Sequence, residues 1–231
     1  VGPVFRAEPH ATVRHLNEYV SLDVETGFIE DHRDLMRLLS ETLAAMLDAI
    51  RAEGVPELAL LGATLPVMPD KAPSILFKEA QQLIYESTGE DCRGENDLAP
   101  AHEKFLGEWC AKKYGSDFLF VEAYPMSKRP FYTYPRPGDE EYSNSFDLLF
   151  RGLELVTGGQ RLHRYADYLE AMAKKGVDPE PLTAYLEAFR FGMPPHGGFA
   201  IGLERWLAQL LGLGNVRETC LFPRDINRLS P

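Results

Sequence analysis

The chain has 231 residues, of which 45% are hydrophobic and 26% charged, values typical of a globular protein with one large domain or two small ones. No apolar run approaches the roughly 20 residues of a membrane-spanning helix, so we expect no membrane attachment. The net charge of −11 opposes non-specific coating of nucleic acid, although a local basic groove could still bind one.

The first predicted elements are a hairpin and a long helix. Residues 4–8 and 19–24 alternate between polar and apolar side chains, which predicts two antiparallel strands joined by a long loop. Apolar residues recur at helical spacing over residues 31–52, and Gly54 with the following Val-Pro ends that pattern. Residues 56–73 are broken by proline and glycine.

Helices and strands alternate through the middle of the chain. Helical spacing returns over residues 75–84 and again over residues 100–114. Residues 118–121 predict a short buried strand, and residues 144–150 predict a further strand with period two. Between them, residues 125–138 are rich in Pro, Arg and Tyr, which indicates a loop or a bent edge.

The last third of the chain combines Gly-rich strands with helices. Its predicted elements are a strand, a Gly-rich turn and a second strand within residues 151–163, helices over 164–175 and 179–191, a strand over 197–201, a helix over 203–211 and a strand over 216–222. No internal repeat or low-complexity linker interrupts the series. We therefore predict one α+β domain over residues 1–231, built on an antiparallel sheet flanked by helices. The first residues lack a basic-then-apolar leader, so we expect an intracellular, cytoplasmic protein.

Three groups of residues could carry chemistry, and the first lies on the opening strand. In Arg6-x-Glu8 the two side chains are alternate residues, which share one face of a sheet, so a guanidinium and a carboxylate project together. Taken alone, an exposed ion pair is the simpler interpretation.

The second group is acidic and lies on the strands around residue 150. Asp147, Glu154 and Thr157 offer the oxygen ligands that Mg²⁺ accepts when phosphate oxygens complete its shell. The glycines at 158–159 would let a ligand approach the backbone, and Arg161 could then bind a carboxylate or phosphate in a bidentate manner. Solvated acidic residues on a strand remain the alternative.

The third group is the Gly-rich stretch 197–205, which runs from a strand into a helix and ends in Glu204-Arg205. Glycines along a strand permit a flat ligand against the backbone, although close packing of a helix on a sheet also needs glycine. The spacing is not that of a Rossmann dinucleotide site, and the sequence contains no P-loop. It also contains no G-x-S-x-G, H-E-x-x-H or C-x-x-C motif, which argues against the corresponding hydrolase and metal-site classes.

The order of these groups resembles that of the class II aminoacyl-tRNA synthetases. Phe5-Arg6-Ala7-Glu8 with the loop 14–18 resembles motif 2 of that class, and 198–205 resembles motif 3. Within the class, six short segments resemble the archaeal type of aspartyl-tRNA synthetase. They are S-F-D at 145–147, G-L-E at 152–154, G-G-Q-R at 158–161, M-P-P-H-G-G at 193–198, L-F-P-R-D at 221–225 and R-L-S-P at 228–231. The resemblance runs from residue 1 to residue 231 and implies the class II catalytic fold.

The resemblance implies an ATP site. Arg6, the implied catalytic residue, would bind the α-phosphate and the activated carboxylate, and Glu8 would bind the adenine amino group. Arg14 and His15 would lie near the outer phosphates, and Tyr19 would stack on adenine. The implied ATP-binding set is completed by Glu154, by Gly202 and by Arg205, which would cover the other adenine face.

The resemblance also implies ligands for a metal ion and for the amino acid. Asp147, Glu154 and Thr157 match the Mg²⁺ and phosphate positions, and Thr157 stands where relatives usually carry serine. Arg161 would hold the aspartate side-chain carboxylate, with Tyr132 and Thr157 beside the amino acid.

The implied activity is that of an aspartate-tRNA ligase. Such an enzyme uses ATP and Mg²⁺ to convert L-aspartate to aspartyl-adenylate and transfers the aspartyl group to tRNA(Asp). Whether tRNA(Asn) is a second acceptor stays open, because anticodon reading decides it. The full-length protein is implied to be a homodimer. By composition alone, the candidate tRNA contacts are Lys128, Arg129, Arg136, Arg224 and Arg228; solvated loop charges without a role in binding are the alternative.

The sequence also departs from the family pattern. Motif 1, the amino-acid-binding strand beside it and an N-terminal anticodon-binding barrel have no counterpart in the 231 residues, so we interpret the chain as the C-terminal part of a larger protein. Ala200 stands where motif 3 usually has glycine, and Ile226 where arginine is usual. Two other functions stay open: a tRNA-independent relative that makes asparagine from aspartate and ammonia, and a non-catalytic binding module derived from a synthetase.

Overall fold

The structure is a computed structural model that describes residues 1–230; Pro231, at the end of the R-L-S-P match, lies outside the described residues. The α-helices of this range are α1 (His32–Glu53), α2 (Val55–Leu61), α3 (Phe77–Thr88), α4 (Pro100–Tyr114), α5 (Tyr165–Lys175), α6 (Thr183–Arg190) and α7 (Leu203–Leu211). The strands are β1 (Gly2–Phe5), β2 (Glu18–Gly27), β3 (Ser74–Leu76), β4 (Phe118–Glu122), β5 (Pro135–Arg136), β6 (Asp139–Ser143), β7 (Ser145–Phe150), β8 (Leu153–Gln160) and β9 (His196–Gly202). Short 3₁₀ helices cover Glu180–Leu182 and Val216–Thr219.

A seven-stranded sheet organises the chain, in the order β1-β2-β9-β8-β7-β4-β3. Neighbouring strands are antiparallel except for β3 and β4, which are parallel. Strands β5 and β6 form a separate two-stranded ribbon. The predicted fold class, an α+β domain on a mainly antiparallel sheet, is confirmed. Among the described residues, no helix is both long and apolar enough to span a membrane.

The two faces of the sheet are covered differently. Helix α1 packs the leucines at 35, 39, 43 and 47 against one face, together with Phe118 and Phe120 of β4. The alternate β4 residues Leu119 and Val121 point to the other face and pack against α3 and α4, as the period-two geometry of a strand requires. The core therefore lies on both sides of β4.

Helices α3 and α4 cover only part of the sheet face against which they pack. Asp23, Ala200 and Thr157 are directly paired neighbours on β2, β9 and β8, and each of them is exposed. Residues that pair directly across strands share one face of the sheet. The β8–β9–β2 half of this face is thus open to solvent beside α4, and it is the place where a ligand can reach the sheet.

Two predicted elements are wrong. The glycines at 158–159 do not form a turn but lie inside β8; a Cβ at Gly158 would lie 2.4 Å from Cζ of Phe146, so glycine is needed there for packing between strands. The turn into β8 lies at residues 151–152 instead. The predicted strand 216–222 is a 3₁₀ turn at its start, because the side chain of Asn215 accepts a hydrogen bond from the Arg217 backbone N–H at 3.1 Å.

Other predicted elements are confirmed with small changes. The helices predicted over 31–52, 100–114, 164–175 and 203–211 are present, and Asp31 caps α1 by accepting from the Arg33 N–H at 2.7 Å. The predicted hairpin is present too, but its first strand ends at Phe5, so Arg6 and Glu8 lie in the following loop and not on a strand as predicted. The predicted helix 179–191 is divided into a 3₁₀ turn and α6. The stretch broken by proline and glycine contains the short helix α2, which has proline in its first turn.

Candidate active site

A cavity of about 200 Å³ lies on the open half of the sheet. Its walls come from the loop between β1 and β2, from strands β8 and β9, and from the start of α7. The sequence-predicted site residues that line it are Arg6, Glu8, Arg14, His15, Tyr19, Glu154, Thr157, Gly202 and Arg205. The structure thus brings together the whole of the ATP-binding set that the sequence analysis implied.

The loop between β1 and β2 forms one wall and is anchored at both ends. The backbone N–H of Arg6 donates to the carbonyl of Asn17 at 2.9 Å, which closes the loop. The Asn17 N–H in turn donates to the Arg224 carbonyl at 2.8 Å, and Val216 donates to Val13 at 2.9 Å. Within residues 1–230 the Arg6 guanidinium makes no ion pair, neither with Glu8 nor with another carboxylate, so it is available to an anion in the cavity.

Arg205, at the start of α7, forms hydrogen bonds with two other walls of the cavity, strand β8 and the loop between β1 and β2. Its Nη1 donates to the Glu154 carbonyl at 3.0 Å, and its Nη2 donates to the Arg14 carbonyl at 3.4 Å. Gly202, which precedes α7, lies beside Tyr19 and Arg205: a Cβ there would meet the Tyr19 ring at 3.8 Å and Cβ of Arg205 at 4.0 Å, which is ordinary van der Waals contact. All three residues line the cavity, so a flat ring bound in it would have the Tyr19 and Arg205 side chains on either side.

The acidic group lies on β7 and β8. Asp147 and Thr157 are directly paired across these strands, and the Thr157 hydroxyl donates to Oε1 of Glu154 at 3.3 Å. Asp147 is 2% exposed and does not line the cavity; its Oδ1 accepts from Nη2 of Arg129 at 2.9 Å. The Asp147 carboxylate also raises the pKa of the buried Tyr124 hydroxyl, through its charge and a hydrogen bond, after the larger effect of burial.

Glu154 and Thr157 line the cavity, and Asp147 is paired with Thr157 on the neighbouring strand, so oxygen atoms are available there for a Mg²⁺ ion that arrives with a phosphate ligand. Within residues 1–230, no three His, Cys, Asp or Glu side chains are grouped as a ready metal site. Mg²⁺ is commonly bound by one or two carboxylates together with substrate phosphates. Partial burial and the nearby Asp147 carboxylate raise the pKa of Glu154 to about 7, and such a strained pair of carboxylates favours a cation.

The pKa of His15, on the loop wall, is lowered, whereas that of Glu154 in the acidic group is raised. Burial, and after it the charges of Arg205 and Arg14, lower the pKa of His15 below its ordinary value despite the opposing effect of Glu8. Nδ1 of His15 lies 2.6 Å from the Thr12 hydroxyl. At neutral pH the imidazole is therefore mainly uncharged and serves as a hydrogen-bonding group rather than a cation.

Replacing Glu154 with glutamine should make the stability of the protein less sensitive to pH. The folded pKa of about 7 lies above the ordinary value of 4.5, so the stability contributed by protonated Glu154 is complete below pH 4.5 and lost as the pH rises to about 7. We expect Glu154→Gln to be more stable than the parent at pH 8 by about 1 kcal/mol, a small value because the side chain is partly exposed. The difference should vanish near pH 4.

Thermal unfolding at pH 4, 6 and 8 measures this effect. Glu41→Gln, which changes an exposed carboxylate on α1, is the matched control and should show no such trend. Equal stability of parent and Glu154→Gln at every pH would contradict the raised pKa.

The residues predicted to bind the amino acid lie next to the cavity. Arg161 lies four residues beyond Thr157, roughly 13 Å along the chain, with its guanidinium 5.1 Å from the Tyr132 ring centroid. Its Nε lies 3.3 Å from Oε1 of Glu25 and its Nη2 3.4 Å from the Gly198 carbonyl. A Cβ at Gly198 would lie 2.2 Å from Oε2 of Glu25, so glycine at this position lets Glu25 extend across the sheet.

Three further polar residues of this region make contacts that the sequence did not predict. Glu103 on α4 accepts from Arg14, and both oxygens of Glu204 accept from the Val20 N–H at 3.0 Å. Arg129 is 6% exposed and bound to Asp147, so its predicted role as a surface tRNA contact is wrong. The partners lie far apart in sequence, and no local pattern distinguishes these side chains from ordinary surface charges.

The comparisons with known proteins agree with this geometry. The sequence profile described as "tRNA synthetases class II (D, K and N)" matches residues 1–226. The chain belongs to this class II synthetase family. The synthetase chain is 52% identical to the Aspartate--tRNA(Asp/Asn) ligase of Thermus thermophilus and 44% identical to that of Aeropyrum pernix, in each case over 100% of its own length. The resemblance to aspartyl-tRNA synthetases, archaeal ones included, is therefore confirmed.

Solved structures give the same result. An aspartyl-tRNA synthetase from Entamoeba histolytica superposes with a TM-score of 0.92 at 37% sequence identity. The match covers 100% of this chain and 48% of the Entamoeba chain. An asparaginyl-tRNA synthetase from Pyrococcus horikoshii, complexed with asparaginyl-adenylate, superposes with a TM-score of 0.91 at 31% identity. The match covers 100% of this chain and 52% of the Pyrococcus chain. This synthetase chain spans about half the length of its curated relatives, 54% of the Thermus protein and 52% of the Aeropyrum protein.

Proposed function

We propose that the full-length protein containing this chain is an aspartate-tRNA ligase. In the first step ATP and L-aspartate form aspartyl-adenylate, and in the second the aspartyl group passes to tRNA(Asp). The observation that carries the proposal is the single cavity lined by Arg6, Glu8, Arg14, Tyr19 and Arg205. Relatives named as aspartate-tRNA ligases, at 44–52% identity, support the same reaction.

The cavity accounts for how ATP would bind. Adenine would lie over Gly202 between Tyr19 and Arg205, with its amino group bound by Glu8. Arg6, which has no ion-pair partner within residues 1–230, would bind the α-phosphate. Arg14 and the neutral His15 would form hydrogen bonds with the outer phosphates, and these roles are supported by the common cavity.

Asp147, Glu154 and Thr157 would hold Mg²⁺ on the strand side of the phosphates. The ion, when bound, would neutralise negative charge on the outer phosphates and on the leaving pyrophosphate. The fit rests on the raised pKa of Glu154 beside Asp147 and on the Thr157 hydroxyl 3.3 Å from Glu154.

Arg161 would select the amino acid through its negative side chain. A guanidinium binds a carboxylate by two parallel hydrogen bonds, which an uncharged amide of the same shape matches poorly. Tyr132 flanks the guanidinium and restricts its orientation.

The proposed chemistry needs no nucleophilic side chain. An oxygen of the aspartate α-carboxylate attacks the α-phosphorus, the bond from that phosphorus to the bridging oxygen breaks, and pyrophosphate leaves. Arg6 would stabilise the charge that develops on the α-phosphate in this step. A hydroxyl of the terminal tRNA ribose then attacks the carbonyl carbon of the adenylate, and AMP leaves.

The acceptor and the assembly belong to the same proposal. We propose tRNA(Asp) as acceptor and tRNA(Asn) as a second acceptor, because the relatives from Thermus thermophilus and Aeropyrum pernix are named for both. The full-length protein would act as a homodimer in the cytoplasm, without membrane attachment.

Mg²⁺-dependent exchange of pyrophosphate into ATP tests the first step. The full-length protein is assayed with aspartate, with asparagine and without amino acid. We expect exchange with aspartate alone, and charging of tRNA(Asp) in the complete reaction. Exchange with asparagine alone would transfer the assignment to the sister specificity, and free asparagine formed from ammonia without tRNA would favour the tRNA-independent relative. Absence of exchange with both amino acids would contradict the proposal.

A further inference from the structure

A buried carboxylate on α4 borders the ATP cavity without lining it. Glu103 is 7% exposed, although it lies on a helix whose neighbouring residues Lys104 and Glu108 are exposed. A single oxygen, Oε2, accepts from Nη1 of Arg14 at 3.1 Å and from the backbone N–H of Glu154 at 3.3 Å. Glu103 thus joins two residues on different walls of the cavity.

Two glycines bring α4 close enough for this contact. A Cβ at Gly107 would lie 2.4 Å from the backbone nitrogen of Gly152, and a Cβ at Gly152 would lie 2.8 Å from Cα of Lys104. Gly152 also has a φ of 73°, which favours glycine for a second reason. The helix therefore rests directly on the turn between β7 and β8, one turn of helix away from Glu103.

The contact with Glu103 restricts the Arg14 side chain but leaves most of its N–H donors unused. A guanidinium has five N–H donors in one plane, and Glu103 takes one of them, so the others remain free for an oxyanion. The Arg14 side chain is 30% exposed, and its loop has no regular secondary structure between residues 6 and 17. A long side chain on such a loop loses rotamer freedom when it binds a ligand, and a bond that fixes it beforehand reduces that loss.

We propose that Glu103 is a positioning residue of the ATP site. It holds the Arg14 guanidinium over the outer-phosphate end of the cavity, so that binding of the β- and γ-phosphates does not have to order it. The inference rests on the proposed function for the position of the phosphates. It assigns Glu103 no contact with ATP, and its effect passes through Arg14.

Binding of ATP and of AMP to Glu103→Gln and Glu103→Ala tests the inference, by calorimetry on the full-length protein. The hydrogen bond between Glu103 and Arg14 joins two charged groups, so the Kd for ATP should rise roughly tenfold in the alanine variant and less in the glutamine variant, which keeps an acceptor. The Kd for AMP, which lacks the outer phosphates, should change less than about twofold. Glu108→Gln, on the same helix but exposed, is the control and should match the parent.

A double-mutant cycle separates this role from a general structural one. If Glu103 acts through Arg14, then Glu103→Gln should have no further effect on ATP binding in an Arg14→Ala background. Equal loss of ATP and AMP binding, additive effects of the two changes, or unchanged ATP binding in both Glu103 variants would overturn the inference. Tighter ATP binding would overturn it too, because the ion pair would then compete with the phosphates.

The outcome is independent of amino-acid activation. A parent protein that binds ATP but shows no exchange with aspartate would contradict the proposed function, whereas the ratio of ATP to AMP affinities would still decide the role of Glu103. If Glu103→Ala does not fold, the glutamine variant, which has the same shape as glutamate, supplies the comparison.

Discussion

Replacing Arg6 with alanine is expected to reduce aspartate-dependent ATP–pyrophosphate exchange by roughly 10³-fold, the size of effect found when one stabilising donor is removed from a transition state. The Arg6 side chain is exposed and has no ion-pair partner among residues 1–230, so its loss should leave thermal stability unchanged. Arg6→Lys keeps the charge but not the planar fork of donors, and it should fall between alanine and the parent. Initial rates of exchange under saturating substrates measure the effect.

Arg37→Ala is the matched control for this change. Arg37 is exposed on α1 and pairs with Asp34 at 2.9 Å, on the helix that packs against the opposite face of the sheet. Its replacement should leave exchange at the parental rate. Parental exchange in Arg6→Ala would remove Arg6 from the catalytic role.

Replacing Arg161 with leucine is expected to lower kcat/KM for aspartate by roughly 10³-fold, because removing one partner of a close charge pair at a binding site costs about 2–5 kcal/mol. The Kd for ATP should stay near that of the parent, since Arg161 does not line the ATP cavity. Steady-state exchange at varied aspartate, together with calorimetric ATP binding, measures both quantities.

Arg164→Leu serves as the control for Arg161. Arg164 lies three residues further on, is exposed and pairs with Asp167 at 2.8 Å, so its replacement should change neither quantity. Equal losses of aspartate and ATP affinity in Arg161→Leu would indicate a general disturbance of the sheet. An unchanged kcat/KM for aspartate would assign carboxylate recognition to another residue.

Elements with a clear local period could be predicted from the sequence. The leucines of α1 repeat at helical spacing, and the two hairpin strands alternate over several residues, so each carries its own signal. The glycines at 158–159 show the opposite case, because a pair of glycines predicts a turn locally whereas packing against Phe146 retains them in a strand. Tertiary packing, which the local pattern does not contain, decided that position.

In the candidate site, too, some residues could be predicted from local motifs and others depend on tertiary contacts. The ATP-binding residues could be found because they belong to motifs whose order resembles a known family. Glu103 could not, since its partners Arg14 and Glu154 are 89 and 51 residues away and no local pattern in α4 distinguishes it from the other charged residues of the helix. Composition alone makes Arg129 a candidate for contact with tRNA, yet in the fold its side chain is buried while Lys128 and Pro130 beside it are exposed, and its guanidinium binds Asp147.

The backbone bonds from Val216 to Val13 and from Asn17 to Arg224 have a consequence for synthesis on the ribosome. The loop that carries Arg14 and His15 is translated among the first residues of this chain, but its partners are translated about 200 residues later. A nascent chain that ends before Val216 lacks both of these backbone anchors, so this wall of the cavity is held only by its earlier contacts, such as those of Arg14 with Glu103 and Arg205. The ATP-binding surface is therefore among the last parts of the fold to be completed, after the sheet has already formed.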